Sequence, residues 1–483
     1  MTNLTEAVAT SPTSEPTRPR PPWRALPVLL VGAFLPVLDA FIVNVALASI
    51  GRDLRTGPAE LELTVSGYGV AYACSLVAGG RLGDRLGRRR VFLAGMAAFT
   101  AASVLCGVAP SAWSLIAFRV AQGLAAALMF PQVLAAIQAG FEGSDRQRAL
   151  GFLGAVVGAA GAVGQIVGGS LLAADIAGLG WRPIFLVNVP VGVAALLIGR
   201  RMLPESRNRT APAIDLVGGL SLAATIALVL LPLTLGRASG WPAWTWASLA
   251  AAPLAGAFFV ASQRWLERSG RTPLVPMSLL EVRYARLGLT AMLLFATCVG
   301  GFLFSMTMVL QVGHGYSALK SGLTMVPSAL AFFLVALVTR RLTARFGDRL
   351  VAGGAVVFAI GLAGFAAVVA ASDARLDPVA VSAPLVVLGL GWAAAMVPLM
   401  GVVMAGLPAE RAGLAGGVLS TALQVGLAAG ASVVGSVLFS VAGSGVDVGR
   451  WRDATLVMTT VECGLALTTA ATVWRLRRAA RSD

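Results

Sequence analysis

Charge is scarce in this sequence. Asp, Glu, Lys and Arg together make up 12% of its 483 residues, about half the share of an ordinary soluble domain. With 57% hydrophobic residues, a water-soluble fold of this composition has too little polar surface to cover itself. There is a single lysine, Lys320, and Leu319 precedes it. A GxxxxGK[ST] phosphate loop is therefore absent, which excludes an ATPase of that kind. The one histidine, His314, makes no metal site and reads as a solvated residue of an outward loop. Four cysteines (Cys74, Cys106, Cys298 and Cys463) all fall in apolar stretches without CxxC spacing, so they read as small core residues. No His-rich, paired-Asp or Ser–His group stands at a membrane face, so no enzyme activity, cofactor or metal is implied.

What is present is apolar length. A helix crossing the hydrocarbon core needs about 20 apolar residues, and such runs recur from end to end. Fourteen are expected: 25–50, 63–82, 91–109, 113–139, 148–173, 183–203, 214–235, 244–265, 285–312, 319–342, 351–371, 379–405, 412–441 and 454–474. The first is too long for a signal-peptide core of roughly 7 to 15 residues, so it is read as a permanent span. The expected fold is thus an all-α polytopic membrane protein in a cell membrane. Residues 1–24, rich in Ser, Thr, Pro and Arg, read as a disordered cytoplasmic tail, and 475–483 as a second cytoplasmic tail.

The net charge of +15 suits either nucleic acid or the inner face of a membrane, and position decides. With the amino terminus inside, 28 of the 37 Lys and Arg residues fall in inward segments and 8 in outward loops. That bias supports both the orientation and the even number of spans. The basic residues are shared among eight inward segments instead of one face with stacking aromatics, which argues against nucleic acid.

An internal repeat is visible. Leu82-Gly83-Asp84-Arg85-Leu86-Gly87-Arg88-Arg89 follows the second span, and Leu342-Thr343-Ala344-Arg345-Phe346-Gly347-Asp348-Arg349 follows the tenth. The two octamers occupy equivalent places if 25–203 and 271–474 are six-helix halves and 204–270 is an inserted two-helix hairpin. The stretch Gly80 to Arg90 resembles the loop motif of the major facilitator superfamily. Arg119-Val120-Ala121-Gln122-Gly123 is similar to that superfamily's fourth-span motif, and Leu38 to Leu47 to the first-span motif of its fourteen-span drug:proton antiporters. Gly161 to Gly169 resembles the antiporter motif GxxxGPxxGG, with Gln165 in the proline position and Ala160 at the first glycine. Trp181 to Phe185, with Asn188 and Pro190, also looks familial. The resemblance implies a major-facilitator-type fold of two six-helix halves with two extra central helices, acting as an exporter of drugs or antibiotics; the expected substrate is a lipophilic small molecule and the expected state a monomer.

Asp39 is the strongest candidate for chemistry. It sits near the middle of the first span, where an ionised group costs several kcal/mol. Burial disfavours its charged form and a nearby cation favours it, so it is suited to load and unload a proton. A static carboxylate locking helices together is the competing reading. Arg119 lies about five residues shallower, an offset of about 8 Å at the helical rise. It is read as the partner of Asp39, with an outward-snorkelling side chain as the alternative. The resemblance gives this arginine a part in proton or substrate coupling. Asn44, Gln122, Gln165, Gln311, Gln424 and Glu462 are polar groups on apolar spans, read as either cavity-lining or interhelical glue. The last span packs peripherally in the resembling family, which leaves Glu462 between a lipid-edge or packing role and a transport role. Gly80, Gly83, Asp84, Arg85, Gly87 and Arg88 read as a gate at the inward end of the second helix. Ala344 replaces Asp84 in the second copy, which lacks that latch. A stripe of glycines, Gly151, Gly154, Gly158, Gly161, Gly164 and Gly168, gives the fifth span one smooth face for a partner helix. The expected function is proton-driven export of hydrophobic or amphipathic molecules. A transporter-like receptor or assembly factor without transport activity is the alternative.

Overall fold

The computed structural model describes residues 23–205, 215–236, 239–271, 273–372, 376–405, 412–443 and 447–479. The readings placed on Met1 to Pro22, on 206–214 and on the last four residues lie outside the described residues. The described residues contain helices and turns and no strand. In hydrocarbon each unpaired backbone group costs several kcal/mol, and a helix pairs its own. Among the described residues, fourteen helices are long and apolar enough to cross a bilayer, the number expected from the sequence. The protein is a multi-pass membrane protein.

The first half comprises α1 (Leu26–Asp53), α2 (Pro58–Leu86), α3 (Arg88–Gly107), α4 (Ala112–Gly140), α5 (Gly143–Ala174) and α6 (Asn188–Met202), the last preceded by a single turn, Pro183–Leu186. Two further helices follow, α7 (Leu216–Leu235) and α8 (Ala243–Arg268). The second half comprises α9 (Arg283–Met308), α10 (Ala318–Phe346), α11 (Arg349–Ala371), α12 (Pro378–Ala405), α13 (Ala412–Ala442) and α14 (Val448–Ala479). Local chemistry sets the ends. Gly87, at φ +106°, turns α2 straight into α3, a conformation glycine adopts without a Cβ clash. Ser111 and Ser114 cap α4 reciprocally, and Asp215 and Ser317 cap α7 and α10 through the Gly218 and Lys320 amides. Several helices run past their expected ends because hydropathy marks the hydrocarbon slab, whereas the helix continues into water. The last begins at Val448 instead of 454.

The two halves pack alike. In the first, α1 lies on α5, α2 and α3 on α4, and α3 on α6; in the second, α9 lies on α13, α10 and α11 on α12, and α11 on α14. Two seams join the halves, α2 with α13 and α5 with α10, and these exchange under the same two-fold relation. Glycines set the closest approaches: a Cβ on Gly79 of α2 falls 2.1 Å from the Ala127 carbonyl oxygen of α4, and one on Gly389 of α12 falls 2.1 Å from the Ser328 carbonyl oxygen of α10.

The inserted hairpin is peripheral. In the most apolar stretch of α7 and of α8 only 28% and 17% of residues are buried, against 72% in α4 and α9. α7 packs along α2 and reaches α13, and α8 packs on α7. The connector into the second half is held from both sides. Arg81 of α2 donates to the Pro273 and Leu274 carbonyls at 2.5 and 3.2 Å. Gln263 of α8 donates to Asp215 at 2.7 Å and accepts from the Val275 amide at 3.0 Å. The hairpin is thereby tied to the end of α2 that carries the octamer.

Candidate functional site

The only fully buried ion pair among the described residues joins α1 to α4: Arg119 donates from Nη1 to Asp39 Oδ2, and both side chains have no exposure. The other Asp39 oxygen accepts from Gln122 Nε2 at 2.9 Å and from Asn188 Nδ2 at 2.8 Å. Gln122 also accepts from Arg119 Nη1 at 2.7 Å and donates to Ser103 Oγ at 2.8 Å. Arg119 Nε donates to the Thr64 carbonyl at 3.1 Å, and the guanidinium lies 4.2 Å from the centre of the Tyr68 ring. Tyr68 in turn donates to the Pro36 carbonyl at 2.8 Å. The site thus draws on five helices, α1, α2, α3, α4 and α6, all of the first half.

This geometry fits the cost of burying charge. A lone carboxylate in hydrocarbon is strongly disfavoured, and a cation with two amide donors offsets much of that penalty. The satisfaction is incomplete, because Arg119 Nη2 and Asn188 Oδ1 have no hydrogen-bond partner among the described residues. Protonating Asp39 would release Arg119 onto bonds it already makes, to Gln122, Thr64 and the Tyr68 ring, so the network has a second arrangement within reach.

The site also touches the fifth helix. A Cβ on Gly164 of α5 falls 2.9 Å from the carbonyl oxygen of Leu38, the neighbour of Asp39, and one on Gly161 meets the Phe41 ring at 3.4 Å. Phe41 packs as well against the core of the second half. The glycine stripe of α5 therefore serves two partners. Gly161, Gly164 and Gly168 face α1, while Gly158 meets Phe332 of α10 and Gly154 approaches Val397 of α12 across the seam.

Several expectations are corrected. Arg119 does not snorkel outward, since its long side chain crosses the depth offset to reach Asp39. Gln122 belongs to the carboxylate network and has no exposure, so it lines no open cavity. Glu462 is fully buried where α14 packs on α9, α11 and α13, which rules out the lipid edge and leaves the packing and transport readings open. His314 is half-buried instead of solvated. Of the other candidates, Gln165 is buried on α5 where Gly322 of α10 crosses it. Asn44 donates to the Ala40 carbonyl of its own helix at 3.3 Å. Gln311 sits in the π-helical turn Val309–Gly313 that ends α9, and Gln424 is half-buried on α13.

In the octamer, Asp84 accepts from Arg88 at 3.0 Å, and Arg88 reaches the Ala135 carbonyl at 3.2 Å. That tie links α2, α3 and α4 within one half. Gly83 lies against Gln132, whose amide donates to the Gly79 carbonyl at 2.8 Å. A Cβ on Gly80 would meet Pro131 at 3.5 Å, and one on Gly87 would meet Glu205 at 2.4 Å. Arg85 is exposed at the helix end.

A separate cleft of about 350 Å³ opens at the C-terminal end of α1, lined by Ser49, Arg52, Asp53, Trp181 and Arg182. It is remote from Asp39 in the fold and carries no part of the buried network. The Trp181 indole and the Arg182 guanidinium donate to Asp53 at 2.9 and 2.8 Å and hold its carboxyl below the usual carboxylate range.

Residues 29–431 match the family described as the Major Facilitator Superfamily. The chain is 36% identical to the probable actinorhodin transporter of Streptomyces coelicolor, over 90% of this chain and 76% of that protein. It is 35% identical to the tetracenomycin C resistance and export protein of Streptomyces glaucescens (90% and 79%) and 32% identical to the multidrug efflux pump LfrA of Mycolicibacterium smegmatis (91% and 84%). The crystal structure of the human organic anion transporter MFSD10 (TETRAN) superposes with a TM-score of 0.65 at 17% identity, over 94% of this chain and all of that one.

Proposed function

This chain belongs to the Major Facilitator Superfamily, a family of transporters and not of enzymes, and on that premise we propose that it is a proton-coupled exporter of lipophilic or amphipathic small molecules of the antibiotic type. The relatives named as antibiotic or multidrug exporters support the substrate class. The buried Asp39–Arg119 pair, completed by Gln122, Asn188 and Ser103, is the single observation that carries the coupling.

In this reading a proton arriving at Asp39 breaks the ion pair. Arg119 falls back on Gln122, Thr64 and Tyr68, and the turn of α1 holding Leu38 and Phe41 shifts against the glycines of α5. Because α5 also forms a seam with α10, the change is passed to the contact between halves, which then rock about the substrate. Loss of the proton on the other side restores the pair. The Asp84–Arg88 tie keeps the ends of α2, α3 and α4 moving as one body. The units are 25–203, 204–270 and 271–474. The protein acts as a monomer in the cell membrane with both termini in the cytoplasm, an orientation supported by the inward bias of Arg and Lys.

The test is efflux in cells that lack their own pumps, measured over a panel of lipophilic antibiotics. The native chain should raise resistance to at least one compound, a protonophore should abolish the effect, and Asp39→Asn expressed at the same level should not protect. No resistance to any compound, with the chain in the membrane, would favour a transporter-like receptor or assembly factor.

A further inference from the structure

The second half contains a buried carboxyl group that the Asp39 network does not use. Glu462 lies near the middle of α14 with no exposure. Ser305 of α9, also fully buried, donates to its Oε1 at 3.1 Å. Its other oxygen, Oε2, is buried and has no hydrogen-bond partner among the described residues. None of the ion pairs among the described residues includes it.

Among the described residues, no cation stands beside Glu462. On α9 the nearest titratable group is Cys298, whose Sγ donates to the Glu462 carbonyl at 3.2 Å. Its charged residues Arg283 and Arg286 are in the first turn of the helix, about five turns or more from Ser305 at about 3.6 residues per turn. On α11 the adjoining carbonyl of Ala359 accepts from Cys463, and the sole charge, Arg349, begins the helix. α13 has no ionisable residue and brings Val434 against Gly301. A Cβ on Gly301 would fall 3.3 Å from Glu462 Oε1, so the glycine leaves room for the carboxyl group.

The contrast with Asp39 is chemical. Asp39 has a guanidinium and two amide donors, which suit an anion; Glu462 has one hydroxyl, which does not repay the burial of a charge. The placement is nonetheless related by the two-fold pairing of the halves. In the first half a carboxylate on α1 meets an amide on α6, and in the second a hydroxyl on α9 meets a carboxyl on α14.

We propose that Glu462 is a second proton-exchange site, resting as a neutral acid between α9 and α14 and giving its proton to water when those helices part. The O–H bond of the carboxyl breaks, water takes the proton, and a proton is returned when the second half opens to the other side. Its place in a transport cycle rests on the exporter reading above, but the exchange itself does not.

Infrared difference spectroscopy of the purified full-length protein tests this. At neutral pH the native chain and Asp39→Asn should both show the carbonyl stretch of a protonated carboxylic acid that Glu462→Gln lacks, and the band should bleach reversibly in alkaline buffer. Ser305→Ala, which removes the donor to the anion, should move the bleaching midpoint to more alkaline pH, and this variant serves where Glu462→Gln does not fold. In reconstituted vesicles Glu462→Gln should halve the protons released per molecule of any antibiotic the native chain exports. A missing band at neutral pH, or one that neither alkali nor an exported antibiotic alters, overturns the proposal. A titrating band in a chain that moves no protons upholds the exchange site and overturns the exporter reading alone.

Discussion

Breaking the Asp39–Arg119 pair from either side should have unequal consequences. Asp39→Asn leaves a guanidinium with no exposure and no anionic partner, beside Gln122 at 2.7 Å, the Thr64 carbonyl at 3.1 Å and the Tyr68 and Phe185 rings. Removing one partner of a buried pair costs about 3–5 kcal/mol, because the other charge is left uncompensated. A guanidinium cannot shed its proton to escape this cost. Arg119→Gln leaves a carboxyl group that can escape by binding a proton. Its deficit relative to the native chain should therefore shrink by about 1.4 kcal/mol for each pH unit towards the ordinary carboxylate range, the free energy of a one-unit proton imbalance. The double variant Asp39→Asn with Arg119→Gln contains no buried charge and should recover at least about 1 kcal/mol relative to Asp39→Asn alone. Unfolding of the purified proteins, followed by thiol labelling of the fully buried Cys106 and Cys298, gives all four stabilities. A double variant less stable than both singles, or an Arg119→Gln deficit indifferent to pH, would refute the reasoning.

Further predictions follow from particular contacts. Asn188→Ala removes a 2.8 Å bond to a charged acceptor and should cost about 1.5–3 kcal/mol in the same unfolding assay. Gly79→Ala drives a methyl into the Ala127 carbonyl and should cost about 1–3 kcal/mol, whereas Gly151→Ala, with nothing within 4 Å of the new Cβ, should be neutral or stabilising in its helix by about 0.5–1 kcal/mol. Asp53 is held below the usual carboxylate range by Trp181 and Arg182. Its contribution is complete above the unfolded value of about 3.9 and is lost as pH falls through the lower folded value, so Asp53→Asn should lower stability at neutral pH and flatten the acid limb of the profile, its deficit vanishing in strong acid. Arg81→Ala should free the connector at Pro273 and Leu274, read as faster proteolytic cleavage near those residues with the fourteen-helix fold retained.

The spans and the repeat were legible because hydropathy over about 20 residues reports directly on hydrocarbon. The position of each span around the molecule was not. The stretch in α7 has mean hydropathy 2.3 and is 28% buried, while that in α4 has 1.7 and is 72% buried. Lipid and protein interior are equally apolar, so hydropathy does not separate a peripheral helix from a central one. Asp39 and Arg119 were found because an ionised residue inside a span has to be accounted for. Ser103, Thr64 and Tyr68 carry no such signal, since a hydroxyl or a backbone carbonyl is unremarkable on any helix. Asn188 was visible only as part of a familial stretch near Pro190. Gln122 stood out as polar, but which neighbour it faced depended on α3 and α6, and spacing along α4 alone gave no access to them.

The central claim is tested most directly by counting protons at Asp39. Purified protein in weakly buffered solution, titrated with an antibiotic it exports, should release protons on binding, and Asp39→Asn should bind the same compound with that Asp39-dependent share of the release gone. Equal release from the native chain and Asp39→Asn would contradict the account.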